Sequence, residues 1–108
     1  MKKSTILAAF LALAGICAAS VHATPKAELS GEELFKEHCS TCHPEGGNII
    51  NPGKTLRKEH RDAHNISSKA DIVDKMRHPG KGMTSWSAAT LPDEDAAAIA
   101  DYILRTFK

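Results

Sequence analysis

The chain has 108 residues, with 14 basic and 13 acidic side chains and a net charge of +1. This length suits one domain. No basic run of the kind that follows a phosphate backbone is present, so we expect no nucleic-acid partner. A domain this small usually needs a disulfide, a metal or a cofactor to complete its core.

The first 23 residues have the order typical of a secretory signal peptide. Two lysines give a positive start, residues 6–16 form an apolar run, and a small-residue site ends at Ala23. The apolar run is too short to span a bilayer. We therefore predict a signal peptide over 1–23, export to the periplasm, and one mature domain over 24–108 without stable membrane insertion.

Cys17 offers a lesser alternative, in which the exported chain is anchored by a lipid on this cysteine. Lipoprotein signals place a small residue directly before the lipidated cysteine, whereas Ile16 stands there in this chain. Cleavage after Ala23 leaves two cysteines and, without Lys2 and Lys3, a net charge of −1.

Four segments of the mature chain have helical patterns. Ser30 and Glu33 form a capping box that begins the first helix, which we expect over about 31–42 before Pro44 stops it. The second segment, 55–65, is polar with few apolar anchors.

The third helix is expected over about 69–77, because Ser68 precedes apolar residues at helical spacing and Pro79 ends the pattern. The fourth begins after Pro92 with three acidic residues, which the helix dipole favours there. No segment alternates like a strand. The sequence therefore predicts an all-α fold of about four helices.

The segment Cys39-Ser40-Thr41-Cys42-His43 is the attachment signature for c-type haem. Cysteines three residues apart on a helical turn project to one side, where both sulfurs can add to the haem vinyl groups. His43 then supplies the proximal imidazole. A thiol–disulfide pair would stand beside a βαβ pattern, and a zinc site would need more cysteines. We therefore predict one haem c, covalent through Cys39 and Cys42.

The second iron ligand is predicted to be Met83. It lies in a glycine-rich loop that can approach a flat ring, and His/Met ligation occurs in cytochromes c. Met76 falls on the apolar face of the third helix, where methionine usually fills the core. His78 is the alternative ligand.

Three other histidines have a simpler interpretation. His60 and His64 are four residues apart and would share a helix face, but no third metal ligand lies near them in the sequence. We interpret both, and His38 in the first helix, as surface side chains.

The mature chain resembles the class I cytochromes c, and within them the small cytochrome c6 and c553-like proteins and their monohaem relatives in metal-reducing bacteria. His43 and Met83 are 40 residues apart, which matches the spacing in that family. The motifs that carry the resemblance are Gly31-x-x-Leu34-Phe35-x-x-x-Cys39-x-x-Cys42-His43, Gly46-Gly47-Asn48, Pro52-x-Lys54-Thr55-Leu56, Gly80-Lys81-Gly82-Met83 and Ala97-x-Ile99-Ala100-x-Tyr102-Ile103.

The resemblance implies that the first and last helices cross beside the haem, with Gly31 and Phe35 meeting Ile99 and Tyr102. It also implies that a carbonyl near Asn51 or Pro52 holds the other ring nitrogen of His43.

Three further haem contacts follow from the resemblance, at Asn48, Pro52 and Trp86. The family often has Met-Pro-x-Phe where this chain has Met83-Thr84-Ser85-Trp86, so the aromatic residue is kept and the proline is not.

These features predict a monomeric electron carrier, rather than an enzyme, that meets protein redox partners transiently. The alternative is a haem-based sensor or ligand binder, which would require a labile Met83.

Overall fold

Helices make up most of the regular structure in the computed structural model, which describes residues 28–108 together with Gly15. The helices are α1 (Gly31–His38), α2 (Lys58–Ala63), α3 (Lys69–Arg77) and α4 (Asp93–Thr106), with a 3₁₀ turn at Pro44–Gly46. Residues 28–108 contain no strand. The all-α prediction is thus confirmed, whereas Cys17 and, apart from Gly15, the predicted signal peptide lie outside the described residues.

Capping boxes begin α1 and α3, as predicted. The Glu33 carboxylate accepts from the Ser30 backbone N–H at 2.8 Å, and the Asp71 carboxylate accepts from the Ser68 backbone N–H at 2.9 Å. Each serine hydroxyl in turn accepts from the backbone N–H of its acidic partner. The backbone hydrogen bonds hold the pKa of both carboxyl groups below their ordinary values.

Two helices are shorter than predicted. α1 ends at His38 rather than near Cys42, because both Cys39 and Ser40 donate to the Phe35 carbonyl and the chain turns away. α2 begins three residues later than predicted, since the Leu56 N–H donates to Gly46 in the preceding loop.

α1 and α4 cross in close contact. A Cβ atom at Gly31 would lie 2.2 Å from the Ala98 carbonyl oxygen, so only glycine permits this approach. The Phe35 ring lies 5.3 Å from Tyr102 and 5.5 Å from Phe107, between ring centroids. The close contact of the first and last helices implied by the family resemblance is confirmed, with Gly31 meeting Ala98 and Phe35 meeting Tyr102.

The hydrophobic core lies between α4 and the helices α1 and α3, with Leu91 beside them. In the described part of the chain, no helix has the length and apolar character needed to cross a membrane. The buried apolar residues are Leu34, Phe35, Ile72, Met76, Leu91, Ala96, Ile99, Ala100, Ile103 and Phe107.

Candidate haem-binding site

A cavity of about 560 Å³ brings together six of the seven predicted site residues. This volume lies in the range of cofactor pockets. Pro52 is the exception, since it is exposed in the adjoining loop and does not line the cavity. The six are Cys39, Cys42, His43, Asn48, Met83 and Trp86.

The two cysteines lie on one turn at the end of α1. The backbone N–H groups of Cys42 and His43 both donate to the Cys39 carbonyl, at 3.2 and 2.9 Å, and this closes the turn. Cys39 is half-buried and Cys42 is exposed. Burial, followed by the nearby Cys42, raises the pKa of the Cys39 thiol to about 11, so the thiol is protonated at neutral pH before haem attachment.

His43 is oriented by a backbone carbonyl. Its Nδ1 atom lies 2.7 Å from the Gly47 carbonyl oxygen. With Nδ1–H donating there, the lone pair on Nε2 is free to bind a metal. The carbonyl expected near Asn51 or Pro52 is therefore that of Gly47 instead, because the 3₁₀ turn at Pro44–Gly46 brings Gly47 back to the ring of His43.

Asn48 organises the loop beside His43. Its side-chain oxygen accepts from the backbone N–H groups of Ile50 and Asn51, at 3.0 and 2.8 Å. Its amide group donates to the Lys54 carbonyl at 2.9 Å. These three hydrogen bonds converge on one residue that also lines the cavity, so Asn48 fixes the shape of that wall.

The two candidate methionines differ in exposure. Met76 on α3 is 4% exposed and packs in the core, as predicted, although it also lines the cavity. Met83 is 38% exposed in the loop on the cavity's edge. His78, the alternative ligand, is exposed, pairs with Asp74 at 3.0 Å and does not line the cavity.

Trp86 has a neighbour that the sequence did not predict. His38 is half-buried and its ring meets the Trp86 ring edge-on, with 5.2 Å between centroids. The interpretation of His38 as a surface residue is therefore wrong: the loop after α3 folds back onto α1 and covers it. The Trp86 backbone N–H donates to the Met76 carbonyl at 2.8 Å, which anchors this fold.

The polar segment that was predicted to face solvent also contributes to the cavity. His60 is half-buried, and its Nδ1 accepts from the Thr55 backbone N–H at 3.0 Å. His64 is exposed, as predicted, but lines the cavity too. No group of three or more potential metal ligands occurs within the described residues, so these two histidines form no separate metal site there.

Arg61 is the one buried charged side chain among the described residues, at 5% exposed. Its Nε donates to the Leu56 carbonyl at 2.8 Å and its Nη2 to the Phe107 carbonyl at 3.3 Å. It forms no salt bridge with any carboxylate in residues 28–108. Because residues 55–65 are mostly polar, the sequence pattern does not distinguish Arg61 from an exposed arginine.

These residues fit a haem. Two cysteines on one turn suit the vinyl groups, and an oriented imidazole and a thioether suit the iron. A buried cation is normally compensated by an anion, and the carboxylates of haem would supply one beside Arg61. The remaining lining is largely apolar, as a porphyrin face requires.

Comparisons with known proteins point the same way. Residues 26–103 match the profile of the family described as "Cytochrome C oxidase, cbb3-type, subunit III". Cytochrome c6 of Aphanizomenon flos-aquae is 38% identical over 76 residues, 70% of this chain and 86% of that one. Cytochrome c6 of Gracilaria tenuistipitata var. liui is 33% identical over 100 residues, 92% of each chain.

Solved structures of cytochromes are similar in fold. The outer membrane cytochrome OmcF of Geobacter sulfurreducens is 40% identical, with a TM-score of 0.72, covering 73% of this chain and 100% of that one. Cytochrome c6 of the diatom Phaeodactylum tricornutum is 32% identical, with a TM-score of 0.65, covering 69% of this chain and 87% of that one.

Proposed function

Since this chain belongs to the class I c-type cytochromes, which are monohaem electron carriers rather than enzymes, we propose that it carries single electrons through a haem iron held by His43 and Met83. The chain carries one haem c, attached through Cys39 and Cys42, and has the class I fold. When bound, this haem supplies a one-electron ferric–ferrous couple.

The observation that supports the ligand pair is that His43 and Met83 line one cavity while His78 lies outside it. His43 is held in a metal-binding orientation by the Gly47 carbonyl. Met76 also lines the cavity, but its burial in α3 favours a packing role. Asn48 and Trp86 complete the wall, whereas the contact at Pro52 stays a prediction.

Arg77 restrains the loop after Met83 through three hydrogen bonds. Arg77 donates from Nη1 to the carbonyls of Trp86 and Leu91, both at 2.9 Å, and pairs with Asp93 at 2.7 Å. These bonds fasten the loop after Met83 to α3 and α4. A rigid site suits electron transfer, because little rearrangement is needed between the two oxidation states.

Export is the second part of the proposal. The sequence of 1–23 supports cleavage after Ala23, so the mature domain would be 24–108 and would work as a monomer in the periplasm with transient redox partners. The mass of the protein purified from the periplasmic fraction tests this. A chain that begins at Thr24 and carries one haem is expected, whereas a diacylated chain that begins at Cys17 would contradict it.

A sensor or ligand binder is the competing function, and one observation favours it. Met83 is 38% exposed, and Thr84 stands where relatives often have a proline that would stiffen the loop. An iron site that opens easily would result from a weakly held thioether.

Carbon monoxide separates the two functions. We expect the ferric protein to show the thioether–iron absorption band and the ferrous spectrum to stay unchanged under carbon monoxide at neutral pH. Rapid carbon monoxide binding would instead favour the sensor. A potentiometric titration in the same cell then gives the reduction potential, which His/Met ligation raises relative to bis-histidine ligation.

A further inference from the structure

We propose that Arg77 is a positioning residue for Met83, and that its bonds to the carbonyls of Trp86 and Leu91 set how long the thioether stays on the iron. This inference rests on the proposed function, because it concerns one of the two proposed iron ligands. Arg77 does not line the haem cavity, so it acts on the site through the loop that carries Met83.

The loop that carries Met83 has little of its own to hold it in place. Residues 81–85 are all exposed, so apolar burial does not fix their position. Thr84 follows Met83, whereas a proline there would fix φ and restrict the alternative conformations of the loop. The position of Met83 therefore depends strongly on the hydrogen bonds that the chain makes directly after it.

Two of these hydrogen bonds join the loop to the end of α3. The Ser85 hydroxyl donates to the Arg77 carbonyl at 2.9 Å, and the Trp86 backbone N–H donates to the Met76 carbonyl at 2.8 Å. The last carbonyls of a helix have no partner within the helix, so a segment that follows can satisfy them. These bonds fix the chain at the second and third residues after Met83.

The side chain of Arg77 holds the same segment by its carbonyl groups. Its Nη1 donates to the carbonyls of Trp86 and Leu91, both at 2.9 Å, and its Nη2 donates to the Asp93 carboxylate at 2.7 Å. The Arg77 side chain is 16% exposed, whereas that of Asp93 is 84% exposed. Water and salt screen an ion pair with so exposed a partner, so the two carbonyl bonds are the stronger restraint.

This arrangement requires the shape of a guanidinium group. Arginine presents its N–H donors in a rigid planar fork, whereas lysine presents its donors from a single atom on a flexible stem. A lysine at position 77 would keep the positive charge, but it would not reach both carbonyls and the Asp93 carboxylate in one fixed geometry. Arg77→Lys therefore separates the effect of geometry from the effect of charge.

Displacement of the thioether by imidazole tests the inference on the haem-loaded ferric protein. At saturating imidazole, the rate at which the thioether–iron band disappears is limited by the rate at which Met83 leaves the iron. We expect Arg77→Lys to raise this limiting rate about tenfold or more, because hydrogen bonds from a charged donor in a partly buried site are lost. An unchanged limiting rate would overturn the inference.

Two control variants separate positioning of the loop from general destabilisation. Gly31→Ala disturbs the contact between α1 and α4, and Gly31 does not line the cavity. This variant should unfold more easily and yet keep the limiting rate of the unmodified protein. Asp93→Asn removes the exposed ion pair and should also keep that rate. If Gly31→Ala or Asp93→Asn accelerates the displacement as much as Arg77→Lys does, global stability or the ion pair controls Met83, and the inference is wrong.

Hydrogen exchange of single amides gives a second readout, measured by NMR on the haem-loaded ferrous protein. The Trp86 amide lies in the restrained segment, and the Ala100 amide lies in α4. In Arg77→Lys we expect protection of the Trp86 amide to fall while that of Ala100 stays unchanged, since the loop opens locally. Equal loss of protection at both amides, or none at Trp86, would contradict the positioning role.

Failure of the proposed function would look different from failure of this inference. If the unmodified ferric protein lacks the thioether–iron band, Met83 is not the ligand, and both proposals are wrong. If the band is present and the limiting rate is the same in Arg77→Lys, the ligand pair stands and only the role of Arg77 is wrong.

Discussion

Arg61 donates from Nη2 to the carbonyl oxygen of Phe107, 46 residues further along the chain, at 3.3 Å. This bond joins α2 to the C-terminal end of α4, where the helix dipole favours a cation. The same guanidinium lines the haem cavity. Arg61 therefore joins α2 to the C-terminal end of α4 and also places a positive charge in the wall of the haem cavity.

Replacing Arg61 is expected to lower the reduction potential. Arg61→Gln removes a buried positive charge from the lining of the haem cavity, which favours the ferric form of a bound haem. A tenfold change in that equilibrium corresponds to about 59 mV for one electron. Arg61→Lys keeps the charge and should retain most of the potential. Spectroelectrochemical titration measures both variants. A loss of thermal stability in Arg61→Gln with an unchanged potential would show that the residue only joins the helices.

The two methionines are expected to respond oppositely to truncation. Met83→Ala should lower the potential, remove the thioether–iron band and permit carbon monoxide binding, with little effect on unfolding. Met76→Ala should leave the spectrum intact and cost about 2–5 kcal/mol of unfolding free energy, because it opens a cavity in the core. Absorption spectra and denaturant titrations of both variants decide, and the reverse pattern would mean that Met76 is the ligand.

The contact between α1 and α4 should not tolerate a side chain at Gly31. Gly31→Ala places a Cβ against the Ala98 carbonyl, and forcing the helices apart is expected to cost about 1–3 kcal/mol. Gly53→Ala is the matched control, since its Cβ would make only an ordinary contact of 3.5 Å. Denaturant unfolding should separate the two clearly; equal stabilities would show that the crossing adjusts at no cost.

Acid should weaken the cap of α3. The pKa of Asp71 is lowered chiefly by the hydrogen bond from the Ser68 backbone N–H. The ionised carboxylate therefore contributes its full stability to the fold at pH values above its ordinary pKa of 3.8, and this contribution is lost as the pH falls through the lowered pKa. Asp71→Asn should therefore reduce Tm at pH 6, and its deficit should shrink towards pH 2. Thermal melts of haem-loaded protein at both pH values test this.

Glu37→Gln serves as the control for Asp71→Asn. Glu37 is exposed and makes no side-chain hydrogen bond or salt bridge within residues 28–108. The Tm of Glu37→Gln should equal the Tm of the unmodified protein at both pH values. A constant deficit for Asp71→Asn at all pH values would contradict the cap as the source of acid sensitivity.

The sequence was sufficient to predict those features that depend only on residues close together in the chain. The attachment motif at 39–43, the capping boxes and the bounds of α3 all follow from residues within four positions of one another. Such contacts depend little on distant parts of the chain, so the sequence by itself determined them. The resemblance to known cytochromes added the crossing at Gly31, which no local pattern contains.

Only the tertiary structure decided which polar residues are buried. Arg61, His60 and His38 are ordinary polar positions on short helices, and each is covered by a segment distant in the chain or by a loop that folds back. The Gly47 carbonyl on His43 likewise depends on how the 3₁₀ turn reverses the chain. Burial of a polar group is settled by what packs on it and what satisfies its hydrogen bonds, and neither can be read from the residue itself.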